Sequence, residues 1–130
     1  MRKLFSSIIF CAVVSCILPP VADAQDFKEK FAENQIITAV NLYDENRFEE
    51  AAAVLREVLK TVPDNDAAHF YMGLVGFCLN DIETAENELR EAVRLDPKNF
   101  WYRFRLAMVY SAAGKEELTL PWNTGKREAG

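Results

Sequence analysis

Apolar and polar residues follow one another along this chain with the period of α-helices. In residues 49–61 and 83–95 the apolar side chains recur every three or four positions, which places them on one helical face. Each segment follows a proline-free, largely apolar stretch, at residues 35–44 and 69–79. The pattern predicts two successive pairs of helices. The apolar positions are Ala52, Leu55, Val58 and Leu59 in the first segment and Ala85, Leu89, Ala92 and Val93 in the second.

Asparagine and proline mark the predicted helix boundaries. Asn46 and Asn80 separate the two members of each pair, and asparagine tolerates the left-handed backbone conformation that ends a helix. Pro63 and Pro97 follow the second members, where proline cannot continue the helical hydrogen bonding. Glycine and proline number only five each in 130 residues, which disfavours a turn-rich β-fold. The chain is therefore predicted to be all-α.

The two helix pairs are copies of one unit that repeats every 34 residues. Ala51 and Pro63 have counterparts 34 positions later, in Ala85 and Pro97. A fixed period of this length predicts a solenoid, in which each unit buries its apolar face against its neighbour. The same step relates Ala39 to Gly73 and Ala107, and Asn46 to Asn80 and Gly114.

This unit resembles the tetratricopeptide repeat (TPR), with repeat 1 at residues 32–65, repeat 2 at 66–99 and a partial third repeat at 100–118. The family carries small residues at the eighth, twentieth and twenty-seventh positions of each unit and proline at the thirty-second. Repeat 2 fits fully, whereas repeat 1 has Val58 at the third small position. The resemblance implies a TPR-type α-solenoid of about two and a half repeats. The fitting residues are Ala39, Ala51 and Pro63, then Gly73, Ala85, Ala92 and Pro97.

The second helix of repeat 3 departs from the pattern. Thr119 stands where the family has alanine, and Pro121 falls where the helix should continue. We expect a short helix at most after Lys115 and a disordered tail over residues 119–130. Two explanations are open. The chain is a truncated or frame-shifted version of a longer TPR protein, or a partner or second copy covers the first helix of repeat 3.

Residues 1–24 have the layout of a secretory signal peptide. Arg2 and Lys3 supply a positive start, residues 4–18 form an apolar run, and Ala22-Asp23-Ala24 offers a small-x-small cleavage site. We expect cleavage before Gln25 and a periplasmic or extracellular location. The predicted domain organisation is a signal peptide at residues 1–24, a TPR domain at 25–118 and a tail at 119–130.

A lipoprotein is the alternative for the N-terminal segment. Residues 13–16 resemble a bacterial lipoprotein box, in which Cys16 is lipidated and becomes the new N-terminus. The match is loose, and the sequence after Cys16 is unusually apolar for a mature lipoprotein. In that case Cys16 would tether the protein to a membrane.

Charge and residue content argue against nucleic-acid binding and against catalysis. The net charge is −5, whereas nucleic-acid binding needs clustered lysine and arginine. We expect the only histidine, His69, to be structural. After signal removal Cys78 is the only cysteine, and its apolar neighbours Phe77 and Leu79 predict a small packed thiol. We expect no enzymatic activity, no cofactor and no metal site.

The TPR resemblance also implies a concave groove lined by the first helix of each repeat. In the family, ligands touch the second, fifth, ninth and twelfth positions, which share one helical face. In this chain those positions are mostly apolar or aromatic, as is typical of interface anchors. The candidate binding residues are Ile36, Val40 and Tyr43 in repeat 1, Phe70, Leu74 and Phe77 in repeat 2, and Trp101, Phe104 and Met108 in repeat 3.

The composition of this groove narrows the class of ligand. Clamp-type members of the family hold a terminal carboxylate with lysine and asparagine, but apolar residues such as Ile36 and Phe70 stand at those positions. An apolar or amphipathic peptide or helix fits better. The alternative is that the chain covers its own groove, with Phe27 and Phe31 folding over it.

These features predict a protein–protein interaction scaffold or adaptor outside the cytoplasm, with a protein or peptide partner of unknown identity. The alternative is a self-association module, in which apolar faces of two copies pair. A size that depends on protein concentration favours the second prediction.

The N-terminal prediction is tested by the intact mass of the protein from its native host, with detergent phase partitioning. We expect a mass that starts at Gln25 and a protein in the aqueous phase. A lipid-modified mass that starts at Cys16 would contradict signal-peptide cleavage and establish a membrane tether.

Overall fold

The computed structural model describes residues 22–115, which form five α-helices and contain no strand. Most of the expected signal peptide, and the short helix and tail expected beyond Lys115, lie outside these residues. None of the helices within residues 22–115 combines the length and the apolar character that crossing a membrane requires. The helices are α1 (Ala22–Asp44), α2 (Phe48–Thr61), α3 (Asp66–Cys78), α4 (Ile82–Leu95) and α5 (Phe100–Ala112).

The turns inside the three repeats have one conformation, as the 34-residue step predicts. Asn46, Asn80 and Gly114 have φ angles of 61°, 59° and 71°, in the left-handed region. The residue after each of them donates a backbone hydrogen bond of 2.8 Å to the carbonyl five positions earlier. The left-handed residue thereby satisfies carbonyls at the end of the first helix. In repeats 1 and 2 the second helix, antiparallel to the first, begins two residues later.

Polar side chains cap three of the helices. Asn65 Oδ1 accepts from the backbone N–H of Ala68 at 2.8 Å, and Asp81 Oδ1 accepts from that of Thr84 at 3.1 Å. Asn99 caps α5 in the same way. These bonds satisfy N–H groups that have no partner within the helix. They fix the start of each helix after a short turn.

The buried residues form two apolar clusters, one at each junction between successive repeats. The first centres on Leu55, Val58 and Val75, and the second on Leu89 with Val109. Leu55 and Leu89, which are equivalent in the repeat, are both fully buried. Both repeats therefore bury the same face of their second helix.

The first and second helices of repeat 2 approach very closely. A Cβ atom at Gly73 would lie 2.6 Å from Leu89 Cγ, and one at Gly76 would lie 3.1 Å from the Ala85 nitrogen. Leu89 is fully buried, so its side chain cannot swing into solvent. Glycine at these positions is what lets α3 and α4 pack at this distance.

His69 joins the end of repeat 1 to both helices of repeat 2. Its Nδ1 lies 2.6 Å from Glu88 Oε2 on α4, and its Nε2 lies 2.8 Å from the Pro63 carbonyl oxygen. The hydrogen bond with Glu88, opposed by burial and assisted by Pro63, raises the pKa of His69 above its ordinary value. The structure thus places the histidine in a structural network, as the sequence predicted.

Repeats 2 and 3 are joined by a polar and an aromatic contact. Tyr102 Oη donates to Asp66 Oδ2 at 3.0 Å, and its ring packs on Phe70 with 4.7 Å between centroids. Burial and the neighbouring Asp66 carboxylate raise the pKa of Tyr102, which keeps the hydroxyl protonated as a donor. This contact sets α5 beside α3.

One expectation and one alternative about local packing were wrong. Cys78 is exposed rather than packed, and its thiol donates at 3.7 Å to Tyr43 Oη. It lies at the C-terminal end of α3, where the helix leaves the core. Phe27 and Phe31 do not fold over the groove, because α1 runs unbroken through them and both rings are exposed.

We predict that Gly73→Ala destabilises the protein by up to about 2 kcal/mol. Overpacking costs about 1–3 kcal/mol, whereas removing glycine from a helix interior recovers about 1 kcal/mol. Urea unfolding of the single variants and of Gly73→Ala/Leu89→Ala forms a double-mutant cycle. The double variant should be less destabilised than the two single effects together, because alanine at position 89 makes room for the new methyl group. Additive effects would show that the two side chains do not collide.

The stabilisation by His69 should depend on pH. Because its folded-state pKa is raised, its ionic contribution is complete below the ordinary value of 6.5 and is lost as pH rises through the folded value. We expect His69→Gln to cost about 1–2 kcal/mol at acidic pH and less at alkaline pH. The measurement is urea unfolding of wild type and variant from acidic to alkaline pH, which gives the difference in their free energies of unfolding at each pH. A difference that is constant, or that grows with pH, would contradict the raised pKa.

Candidate functional site

The nine predicted groove residues divide into a packed group and an exposed group. Those of repeat 1, with Phe70 of repeat 2, are half-buried, and Leu74 is buried. The remaining four are exposed large side chains on α3 and α5. The open part of the predicted surface therefore lies at repeats 2 and 3. The exposed members are Phe77, Trp101, Phe104 and Met108.

Part of the exposed group lines a small apolar cleft between α3 and α5. Leu74 and Phe77 form one wall, and Met108 forms the other. Leu89 and Val109, both buried, lie at its base. The cleft brings together three of the nine predicted residues, from two different repeats. An apolar side chain from a partner would displace water from these walls.

Arg105 is a cleft residue that the sequence analysis missed. It is half-buried and contributes to the lining beside Met108. Its spacing was a usable signal, since Trp101, Arg105 and Met108 stand four and three positions apart and share a helical face. The guanidinium gives an otherwise apolar cleft a positive group with several hydrogen-bond donors.

The other exposed residues form an aromatic cluster at the start of α5. The rings of Phe100 and Phe104 stack with centroids 5.8 Å apart, and Trp101 meets both edge-on. Trp101 is 61% exposed although it is one of the largest side chains in the chain. Phe100 is a second residue missed by the sequence analysis, because it occupies the first position of the repeat rather than a position that the family uses for ligands.

The repeat 1 end of the groove is more tightly packed. Ile36 and Tyr43 lie against the first buried cluster, and the Tyr43 ring meets Phe48 edge-on with 5.6 Å between centroids. Burial, together with the hydrogen bond from the Cys78 thiol, raises the pKa of Tyr43. Tyr43 therefore stays neutral and presents a hydroxyl rather than a charge. Val40 is half-buried on the same helix.

The arrangement favours holding a ligand over transforming one. His69, the only histidine of the chain, has hydrogen-bond partners at both ring nitrogens, so neither is available as a general base or a metal ligand. Within residues 22–115 no three His, Cys, Asp or Glu side chains are grouped as a metal site would require. The open surface consists of apolar walls, aromatic rings and one arginine.

Comparisons with known proteins agree with this fold. A family model described as tetratricopeptide repeat matches residues 38–100. Searching curated proteins gave no significant match.

Three solved structures of MamA are similar. The one titled MamA MSR-1 C2 superimposes with a TM-score of 0.62 at 20% identity, over 69% of this chain and 52% of that chain. A point mutant of MamA superimposes with a TM-score of 0.63 at 18% identity, over 78% of this chain and 79% of that chain. Another MamA mutant has a TM-score of 0.63 at 22% identity, over 78% of this chain and 53% of that chain. The chain thus spans about half the length of two of these structures, and identities this low show the fold alone.

The helix pairs of the structure therefore follow the 34-residue repeat found in the sequence. The family match at residues 38–100 covers the same repeats. Residues 38–100 match the tetratricopeptide repeat family and fold as helix pairs of that type.

Proposed function

We propose that this protein is a binding scaffold outside the cytoplasm, which holds an apolar or amphipathic segment of a partner protein against repeats 2 and 3. The observation that carries the proposal is the open cleft of Leu74, Phe77 and Met108, continued by the aromatic cluster of α5. A group of neighbouring large apolar side chains that a well-packed fold leaves exposed is typical of an interaction site.

The cleft is shallow, with a volume of about 20 Å³, so it suits a partner that lays an apolar side chain across its mouth. Its base is rigid, because Leu89 and Val109 are buried and α3 is held against α4 at Gly73. Because this surface is preformed, little entropy is lost in ordering it when a partner binds. Arg105 at the edge favours a partner with an acidic or carbonyl oxygen next to its apolar anchor.

Location outside the cytoplasm follows from the character of residues 1–24. It restricts the partner to proteins of the same compartment. The alternative use of the apolar surface is self-association, in which apolar faces of two copies pair.

The proposal is tested by quantitative affinity capture with a matched pair of variants. Phe77 and Leu79 are both 39% exposed, but Phe77 lines the cleft and Leu79 lies outside it at the end of α3. We expect Phe77→Asp, which places a charge in the cleft, to weaken capture of the partner about 30-fold or more, as loss of a central anchor does. Leu79→Asp should capture it as wild type does.

Circular dichroism establishes that both variants are folded, and titration of the captured partner then gives the affinities. Equal capture by wild type and Phe77→Asp would contradict the cleft as the binding site. Equal loss in both variants would point to a different surface near the end of α3.

A further inference from the structure

His69 lies where the end of repeat 1 meets repeat 2, and both of its ring nitrogens face hydrogen-bond acceptors. Nδ1 is 2.6 Å from a carboxylate oxygen of Glu88 on α4, and Nε2 is 2.8 Å from the carbonyl oxygen of Pro63. A carbonyl oxygen and an ionised carboxylate cannot donate, so both ring nitrogens must carry a proton to make both bonds. The complete contact therefore requires the positively charged imidazolium.

The pair formed by His69 and Glu88 is shielded from water. Their side chains are 14% and 25% exposed. It is the only ion pair within residues 22–115 in which both side chains are less than a third exposed. Shielding strengthens an electrostatic interaction, and it also makes an unmatched polar group costly. A change in the charge of the ring therefore has a large effect on this contact.

The surrounding charges favour the proton on His69. The hydrogen bond with Glu88, opposed by burial and assisted by the Pro63 carbonyl and by the charges of Glu88 and Glu91, raises the pKa of the ring. Charged residues of the other neighbouring elements already have partners within the described chain. Asp64 of the loop pairs with Arg94, Lys60 of α2 pairs with Glu57, and Asp66 of α3 accepts from Tyr102.

Loss of the proton removes one of the two hydrogen bonds of His69, and the geometry indicates which one. The neutral ring keeps a single N–H, and a bond to an ionised carboxylate is roughly twice as strong as a bond to a neutral carbonyl. The remaining proton therefore stays on Nδ1 with Glu88. The lone pair of Nε2 then faces the Pro63 oxygen at 2.8 Å, where it repels the lone pairs of that oxygen. The loop at Pro63 loses its contact with the ring.

The Pro63 loop, residues 62–65, leads into the residues that position α3 and α5. Asn65 caps α3 through the backbone N–H of Ala68, and Asp66 accepts from Tyr102 of α5. Release of the loop therefore loosens the start of α3, and with it the contact that sets α5 beside α3.

We infer that His69 is a pH switch at the junction of repeats 1 and 2: the protonated ring holds the Pro63 loop, and loss of the proton releases it. Because the folded protein binds this proton more tightly than the unfolded chain, the loop is held below the ordinary pKa of 6.5 and released as pH rises through the folded value. The inference adds a local conformational change to the pH-dependent stability of His69, and it does not depend on the proposed binding site.

The junction of repeats 2 and 3 is an internal control for this switch. Asn99 stands 34 positions after Asn65, and the backbone N–H of each asparagine donates to the carbonyl three positions earlier at 3.2 Å. The residue equivalent to His69 is Arg103, whose charge does not change near neutral pH. The second junction should therefore be unaffected by pH.

The test is NMR of the protein from about pH 5 to about pH 9, which covers the range in which histidine titrates. Because His69 is the only histidine, its ring resonance gives the titration midpoint, which we expect above 6.5. Amide hydrogen exchange at Asn65 and Asn99 measures the opening of each junction. We expect the protection of Asn65 to fall about tenfold through the midpoint, as loss of one hydrogen bond from a charged donor implies, while that of Asn99 stays constant.

Glu88→Gln separates the switch from a contact that is only structural. A side-chain amide can donate to Nδ1, so a neutral ring keeps both hydrogen bonds by donating Nε2–H to Pro63. In this variant we expect a lower midpoint than in wild type and a loop that stays protected throughout the pH range. Glu91→Gln removes the other carboxylate but neither hydrogen bond of His69, so it should keep the opening seen in wild type. Circular dichroism establishes that both variants are folded.

Three results would overturn the inference. The first is a titration midpoint at or below 6.5, which would show that the folded protein does not favour the charged ring. The second is protection of Asn65 that is constant with pH, or that falls together with that of Asn99. The third is a Glu88→Gln variant whose loop opens with pH as in wild type. None of these results bears on the capture of a partner at Phe77.

Discussion

The close approach of α3 and α4 is the constraint on which the rest of the molecule depends. Gly73 and Gly76 present bare backbone to α4, so that Leu89 packs directly against α3 at a distance no side chain would permit. Leu89 then forms the base of the cleft, and Val109 of α5 packs beside it. A looser hairpin would move α4, and with it both α5 and the walls of the binding surface.

Specific polar contacts hold the successive repeats in line. His69 links the loop at Pro63 to Glu88, and Tyr102 links α5 back to Asp66 at the start of α3. These bonds are directional, whereas burial of apolar area is not, so they define how one repeat is set against the next. The orientation of α5, which carries half of the exposed aromatic side chains of residues 22–115, follows from the second contact.

Most of the fold could be predicted from the sequence, because it is encoded locally. The repeat places Asn46, Asn80 and Gly114 at one equivalent position, which predicts the same left-handed turn in each repeat. The structure confirms all three turns. The binding surface could be predicted only in part. Position in the repeat identifies the helical face of a residue, but its exposure depends on neighbours from other repeats. Leu74 and Trp101 both occupy groove positions of the repeat, but Leu74 is buried whereas Trp101 is exposed.

The exposure of the aromatic cluster of α5 underlies the proposed binding site. It is measured most directly by the fluorescence of Trp101 in a Trp122→Phe variant, which leaves Trp101 as the only tryptophan. In dilute protein, we predict the emission of tryptophan in water and unhindered quenching by acrylamide. A blue-shifted emission, with Trp101 protected from acrylamide, would show that the aromatic cluster is covered in the free protein, and would contradict the proposed binding site.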